Sequence, residues 1–425
     1  MSEFASQHEY LAFCESQSVL PEGFTAGATP ITFKPSELGG EKEYRMNISG
    51  IFCDQSTPSF HAMFTKNHFC GAPVIIGKKH LKNGLCRGIL VNNKISNVAV
   101  QTGEQDALTV LQTCSEYLGC PVKELFPSST GIIGWQLPVQ EMVQAIPALM
   151  KSMVSTSLLS VAQAIMTTDS YPKVYREICG SGSIVGTAKG AGMIEPNMGT
   201  MLSFICTDIS VSREQLAQSL SWAVEQSFNR ISIDGDQSTS DMIIILSSNK
   251  KPLADLGAFN LALLAVCKNL SHAIVRNGEG VEHVIKATIS HAPSLAVAEQ
   301  AGKAIVNSPL VKSAIFGNDP NVGRIIGALG DYFGNNKIPI PRDSLSISMG
   351  NIDIFSNNGF CLDKRKEQLL TSYLKEASYS LQGHYPPHQK TVDIFVDLKA
   401  GEYECSVIGA DLSYDYVREN AAYRS

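Results

Sequence analysis

The chain is short of charge, and shorter still of positive charge. Asp, Glu, Lys and Arg make up 17% of its 425 residues, and 34 Lys plus Arg stand against 40 Asp plus Glu, a net charge of −6. A general nucleic-acid binder carries a basic surplus, so that class is set aside. No run of about 18 uncharged apolar residues occurs, which argues against a membrane span. Met1 to Glu9 lacks a basic cluster followed by an apolar stretch, so no secretory leader is expected. The eleven cysteines form no C-x-x-C pair, and their number is odd. Scattered among apolar neighbours (Phe204-Ile-Cys206, Ala265-Val-Cys267), they read as free buried thiols of a reducing, cytoplasmic compartment rather than disulfides or metal ligands. His384 and His388 are separated by Tyr-Pro-Pro, which cannot continue a helix, so they do not share a helical face for a metal.

What the sequence does have is apolar bulk. At 44% hydrophobic residues it can bury a large core, as two or three domains or one large α/β body. Residues 1–45, rich in turn formers, are expected to be a peripheral entry segment. Val74-Ile-Ile and Gly88-Ile-Leu-Val-Asn92 look strand-like. Helical periodicity covers 104–121, 137–166, 213–227 and 253–274, with one more helix near 364–381. Strands are expected at Met201–Thr207, Leu345–Met349, Thr391–Val396 and Tyr403–Ile408. The fold class is therefore mixed α/β, with sheets covered by helices and no clean βαβ repeat.

Three motifs are weak. Gly323-Arg-Ile-Ile-Gly327-Ala-Leu-Gly330 lacks the dinucleotide-loop spacing, and close helix packing is the better reading. Gly186-Thr-Ala-Lys189-Gly-Ala-Gly192 lacks the ending of a phosphate loop and reads as a flexible turn. Asp234-Gly-Asp236-Gln-Ser-Thr-Ser-Asp241 lacks the closing glutamate of a calcium loop, leaving turn and cap chemistry.

One stretch is stronger, Gly186 through Gly199-Thr200-Met-Leu-Ser-Phe204. A threonine held after a small residue in a strained turn can attack the preceding carbonyl and break its own peptide bond. The freed residue carries a nucleophilic hydroxyl beside its own base, an α-amine of pKa about 8. From composition alone, an ordinary passage from loop to strand stays open.

The stretch resembles the processing motif K-G-[SA]-G-M-I-x-P-N-M-A-T-M-L of the ornithine acetyltransferase family, also called glutamate N-acetyltransferases. Six further blocks follow in the family's order: Ser129-Thr130-Gly131-Ile-Ile-Gly134, Met166-Thr167-Thr168-Asp169-Ser170, Ile233–Asp241, Arg276–Gly280, Asn307–Gly317 and Asp411–Asn420. The resemblance implies an αββα-type sandwich of the self-cleaving class. It implies cleavage between Gly199 and Thr200 into fragments 1–199 and 200–425, intertwined and paired as an α2β2 heterotetramer. Thr200 is then the nucleophile, and Thr130 and Gly131 form the oxyanion hole, worth about 3–4 kcal/mol per donor. Thr167, Thr168, Lys189, Glu279, Asn420 and Ser425 would hold the amino-acid substrate, with Glu279 supplying charge for an ammonium or steering protons.

The reaction implied is ping-pong, from N2-acetylornithine to glutamate in arginine biosynthesis. It needs no metal or cofactor, and acetyl-CoA stays open as a second donor. Gly199 stands where the family has alanine, and Glu195 where it has a small residue or histidine. Val91–Gly103 is two residues longer than the family's V-N-S-G-N-A-N-A-C-T-G and should alter the pocket wall or the acceptor range. An amidohydrolase or aminopeptidase of the same fold, or a binding protein that no longer cleaves itself, are the alternatives.

Overall fold

The computed structural model describes residues 4–39, 42–195, 201–379 and 389–421. Two compact units share the chain. One comprises Leu11–Asn229 and Gln237–Ile274, the other Val275–Ser425 with Met1–Tyr10 and Arg230–Asp236.

The larger unit holds two sheets. The first, in order β1-β2-β4-β5, joins Phe24–Phe33, Tyr44–Thr57, Cys86–Asn92 and Leu125–Ser129. The second, in order β3-β10-β8-β7-β6, joins Phe60–Phe64, Met242–Lys251, Leu202–Ile209, Gly182–Lys189 and Lys173–Cys179. The sheets face each other, with Phe60 edge-on to Phe126 at 5.8 Å between rings. Helices Gly103–Leu118 and Val139–Ser152 cover the first sheet, their Val110, Leu111, Met142 and Ile146 packing on Ile31, Met46 and Ile48. Helix Leu256–Arg276 covers the second. A Cβ on Gly186 would meet Val266 at 2.9 Å and Leu270 at 3.0 Å, so only glycine lets this helix lie so close to β7. The unit is the expected αββα sandwich. Leu256–Arg276 is long and apolar enough to cross a membrane by length and composition, but its Phe259, Leu263, Val266 and Leu270 are fully buried in this unit's core.

The smaller unit is built on one sheet in order β14-β13-β12-β15-β11-β16-β9. Its strands are Gly359–Phe360, Ile352–Ser356, Ser346–Met349, Val392–Asp397, Val284–Ala292, Tyr403–Ala410 and Ile231–Ser232. Helices Leu295–Asn307, Val322–Asn335 and Lys364–Ala377 bury Ile305, Leu329, Phe333, Leu370 and Leu374 with Ile285, Ile347 and Val392 of the sheet.

Four sequence expectations change. Residues 24–33 are no peripheral segment: β1 pairs along its whole length with β2, burying Phe24, Ile31 and Phe33. Val74-Ile-Ile lies in helix Ala72–His80, opened by Pro73 in its first turn, where a missing N–H costs nothing. The 137–166 helix is two, Val139–Ser152 and Leu159–Ala164, because Val154 turns aside to exchange two 2.9 Å backbone bonds with Ala26. Gly327 and Gly330 of helix Val322–Asn335 have nothing within 4 Å of a Cβ, so close helix packing does not explain them. The eleven cysteines are all free, and burial pushes the Cys53 and Cys267 thiols up to about 12.

Candidate active site

Gly199, Thr200 and Ser425, like His384 and His388, lie outside the described residues. Met201, the residue bonded to Thr200, is described. It lines a cleft together with Thr130, Lys189, Ser238, Ser240 and Asp241. Strand register assembles this cleft. Lys189 pairs with Leu202 in the antiparallel β7/β8 ladder, and Met242 pairs with Leu202 in the parallel β8/β10 ladder. Met242 also donates its N–H to the Met201 carbonyl at 3.0 Å. The stretch Gly186–Gly192 is thus no flexible turn: through Lys189 it is an interior strand that delivers the lysine to the cleft.

Thr130 and Gly131 follow β5. The Thr130 N–H is committed to the Asn92 carbonyl at 3.1 Å, so the group Thr130 can offer a ligand is its hydroxyl. Gly131 has φ +126°, and a Cβ there would sit 2.1 Å from the Lys94 carbonyl carbon. Only glycine fits. Ile132 N–H donates to Lys94 O at 2.9 Å, and the Ser129 hydroxyl donates to Asn92 Oδ1 at 2.6 Å. Lys94, in the segment that departs from the family pattern, thus stands against the Gly131 loop. Lys94 itself has φ +70°, the left-handed region that favours the glycine found there in the resemblance.

Thr167 and Thr168 sit on a loop held by Asp169. Asp169 Oδ1 accepts from Lys173 Nζ at 2.5 Å and from Gly190 N–H at 3.0 Å, while Oδ2 accepts from Thr167 N–H at 3.1 Å. One carboxylate thus ties the threonine loop to the residue that follows Lys189. The Asp169 and Lys173 side chains are fully buried. Burial pushes the Asp169 carboxyl up, but the Lys173 and Lys189 charges and its hydrogen bonds outweigh this and hold it at about 2. Burial pulls the Lys173 ammonium down in turn. With three donors facing it and no acceptor, Asp169 is the anion and the pair is ionic.

Asp241 is the opposite case. Burial pushes its carboxyl well above the usual carboxylate range, outweighing the nearby Ser238 and Thr65 side chains and the Lys189 charge, which favour the anion. From composition alone it reads as part of a turn; the fold adds its place at the start of β10 beside the cleft. Residues of the resemblance also meet in the smaller unit. Asn420, on helix Tyr414–Ala421, donates from Nδ2 to Glu279 Oε2 at 2.9 Å and to Tyr416 O at 3.0 Å. The Tyr416 hydroxyl donates to Asp234 Oδ2 at 3.2 Å. A Cβ on Gly280, at φ +61°, would meet Tyr416 N at 2.3 Å, so glycine lets the Glu279 turn approach this helix. Among the described residues, no three His, Cys, Asp or Glu side chains converge as a metal would require.

The ArgJ family model matches residues 36–425. Arginine biosynthesis bifunctional protein ArgJ 2 of Clostridium acetobutylicum is 36% identical over 385 residues, covering 90% of this chain and 95% of its own length. The glutamate N-acetyltransferase of Methanopyrus kandleri is 34% identical, with 91% and 98% covered. A crystal structure of the Arginine biosynthesis bifunctional protein argJ from Bacillus halodurans is 35% identical and covers 53% of this chain and 100% of its own, with a TM-score of 0.46. With one family model running from residue 36 to the last residue and relatives matched along almost their whole length, the chain belongs to the ArgJ family.

Proposed function

We propose that this protein is a glutamate N-acetyltransferase of arginine biosynthesis that cleaves itself between Gly199 and Thr200 and then moves acetyl from N2-acetylornithine to glutamate. The observation that carries the reading is the cleft. It gathers Thr130, Lys189 and Met201, the direct neighbour of Thr200. The Thr200 hydroxyl attacks the acetyl carbonyl while its own α-amine takes the proton, and the Thr130 hydroxyl and Gly131 N–H stabilise the oxyanion. The C–N bond breaks, ornithine leaves, and glutamate takes the acetyl group from the ester in the reverse sequence. Lys189, with Thr167 and Thr168, would bind the substrate carboxylate, and the resemblance gives Glu279, Asn420 and Ser425 as further substrate-binding residues. Every group named belongs to the chain itself, so this reading calls for no cofactor. Fragments 1–199 and 200–425 would pair as a cytoplasmic α2β2 assembly.

Labelled glutamate incubated with acetylornithine should become labelled N-acetylglutamate at a rate that depends on acetylornithine. Release of acetate at the same rate without glutamate would assign the protein to the hydrolases instead. Thr130→Ala is expected to lower acetyl transfer by about 10²–10³ with KM nearly unchanged, since the lost donor acts on transition-state charge. Unchanged turnover in a fully cleaved variant would return Thr130 to a structural role. Asn420→Ala should fold and cleave normally and lose at least about tenfold in kcat/KM, chiefly through KM, the scale of one hydrogen bond to a charged group. A variant with wild-type KM for acetylornithine would remove Asn420 from the site.

A further inference from the structure

We propose that Asp241 is a further catalytic residue of the cleft, the group that carries the proton to and from the amino-acid nitrogen. This rests on the acetyl-transfer reading above. Asp241 opens β10, is only 2% exposed, and accepts at its backbone carbonyl from Thr65 N–H at 3.1 Å. The Ser238 and Thr65 side chains lie beside its carboxyl group and favour its charged form, against burial. Its Oδ2 is buried and has no hydrogen-bond partner, although the residue lines the cleft beside Thr130, Lys189 and Met201. Lys189 lies close enough for its charge to act on the group without closing a bond to Oδ2.

A buried acid kept only for structure engages both oxygens, as Asp169 of the same unit does with Lys173, Gly190 and Thr167. An unpartnered oxygen at a cleft is a site left open for a ligand's N–H or for a proton in transit. The reaction has a task of that kind. An amide nitrogen cannot leave as an anion, so breaking its C–N bond requires a proton on nitrogen. In the first half-reaction, the Thr200 hydroxyl proton goes to the Thr200 amine as the new O–C bond forms. The Asp241 carboxyl gives its proton to the departing nitrogen, which leaves as ornithine's amine. The acyl-enzyme then holds an ammonium and a carboxylate, a neutral pair. In the second half, the glutamate amine attacks and its surplus proton returns to Asp241, while the Thr200 oxygen recovers its proton from the ammonium. Burial, which favours the protonated acid, sets Asp241 in the state that the first half requires.

The test is Asp241→Asn in the full chain, which keeps size and polarity and removes the exchangeable proton. Intact mass first establishes whether each protein yields two fragments. Two acyl donors are then compared, acetylornithine and p-nitrophenyl acetate, whose phenolate departs without protonation. The variant is expected to lose about 10²–10⁴-fold with acetylornithine, yet to give a p-nitrophenolate burst within about threefold of wild type. Acetylornithine turnover within about threefold of wild type would overturn the assignment. So would equal loss of the ester burst, which is what structural damage or failed cleavage produces. Were wild type itself to stay uncut and give no burst, the acetyl-transfer reading would fall first and the role of Asp241 with it.

Discussion

Thr200→Ala is expected to yield one chain of 45.9 kDa, where the wild type yields fragments of roughly 21 and 24 kDa in proportion to length, because a methyl group cannot attack a carbonyl. The heavier fragment should begin at Thr200, and acetyl transfer in the variant should fall to background, since the nucleophile and its amine base are both lost. The effect is total because two functions depend on one hydroxyl. Thr200→Ser offers a graded control: a hydroxyl remains, so cleavage should persist, at a changed rate. An active wild-type protein that runs as a single intact chain would end the N-terminal-nucleophile mechanism here.

Asp169→Asn should cost about 3–5 kcal/mol of stability at neutral pH, the penalty for leaving the buried Lys173 ammonium without its counter-charge. Asp169→Asn with Lys173→Met removes both charges and should recover much of that stability, yet an amide with one oxygen cannot accept from both Thr167 N–H and Gly190 N–H, which bond opposite oxygens of Asp169. The double variant should therefore fold but bind acetylornithine more weakly, with KM raised more than kcat is lowered. Thermal melts paired with steady-state kinetics separate the two effects; a double variant with wild-type KM would confine Asp169 to stability. The pH dependence has a definite sign. The folded Asp169 carboxyl, at about 2, lies below the unfolded value of about 3.9. Its contribution is present above pH 4 or so and is lost as pH falls from about 4 through about 2. Asp241 works the other way: its raised value makes its contribution present in acid and lost as pH rises. Asp241→Asn should therefore melt no lower than wild type at pH 8.

The parts of the site that were legible in the sequence are those that backbone chemistry marks locally. Ser212 with Gln215 closes a capping box where the 213–227 helix was expected to begin. Gly131 and Gly280 sit where backbones approach within a Cβ radius. The ordered blocks around Thr130, Thr167 and Lys189 fall on one unit, those around Glu279 and Asn420 on the other. Asp169 and Asp241 are illegible in the sequence for a common reason. Aspartate beside serine, threonine and glycine scores as a turn former, and nothing in Thr-Thr-Asp-Ser or Ser-Thr-Ser-Asp states that tertiary contacts will strip it of water. The strand-like look of Val74-Ile-Ile failed likewise, because three apolar residues suit a buried helix as well as a strand.

The β7/β8 ladder makes the proposed cut a matter of molecularity. Lys189 and Leu202 are antiparallel partners, so one sheet would take β3, β6 and β7 from the fragment before the cut and β8 and β10 from the one after it. Before cleavage, those strands find one another along a tether of a dozen residues, a small loop-closure cost. Afterwards the same pairing is a bimolecular event, dependent on concentration, with two apolar sheet edges exposed until it succeeds. The uncut chain would serve as its own assembly template, used once. A cleaved enzyme unfolded at high dilution should fail to regain activity where the uncut Thr200→Ala chain regains its fold, so its durability would be set by the rate at which the sheet opens rather than by an equilibrium.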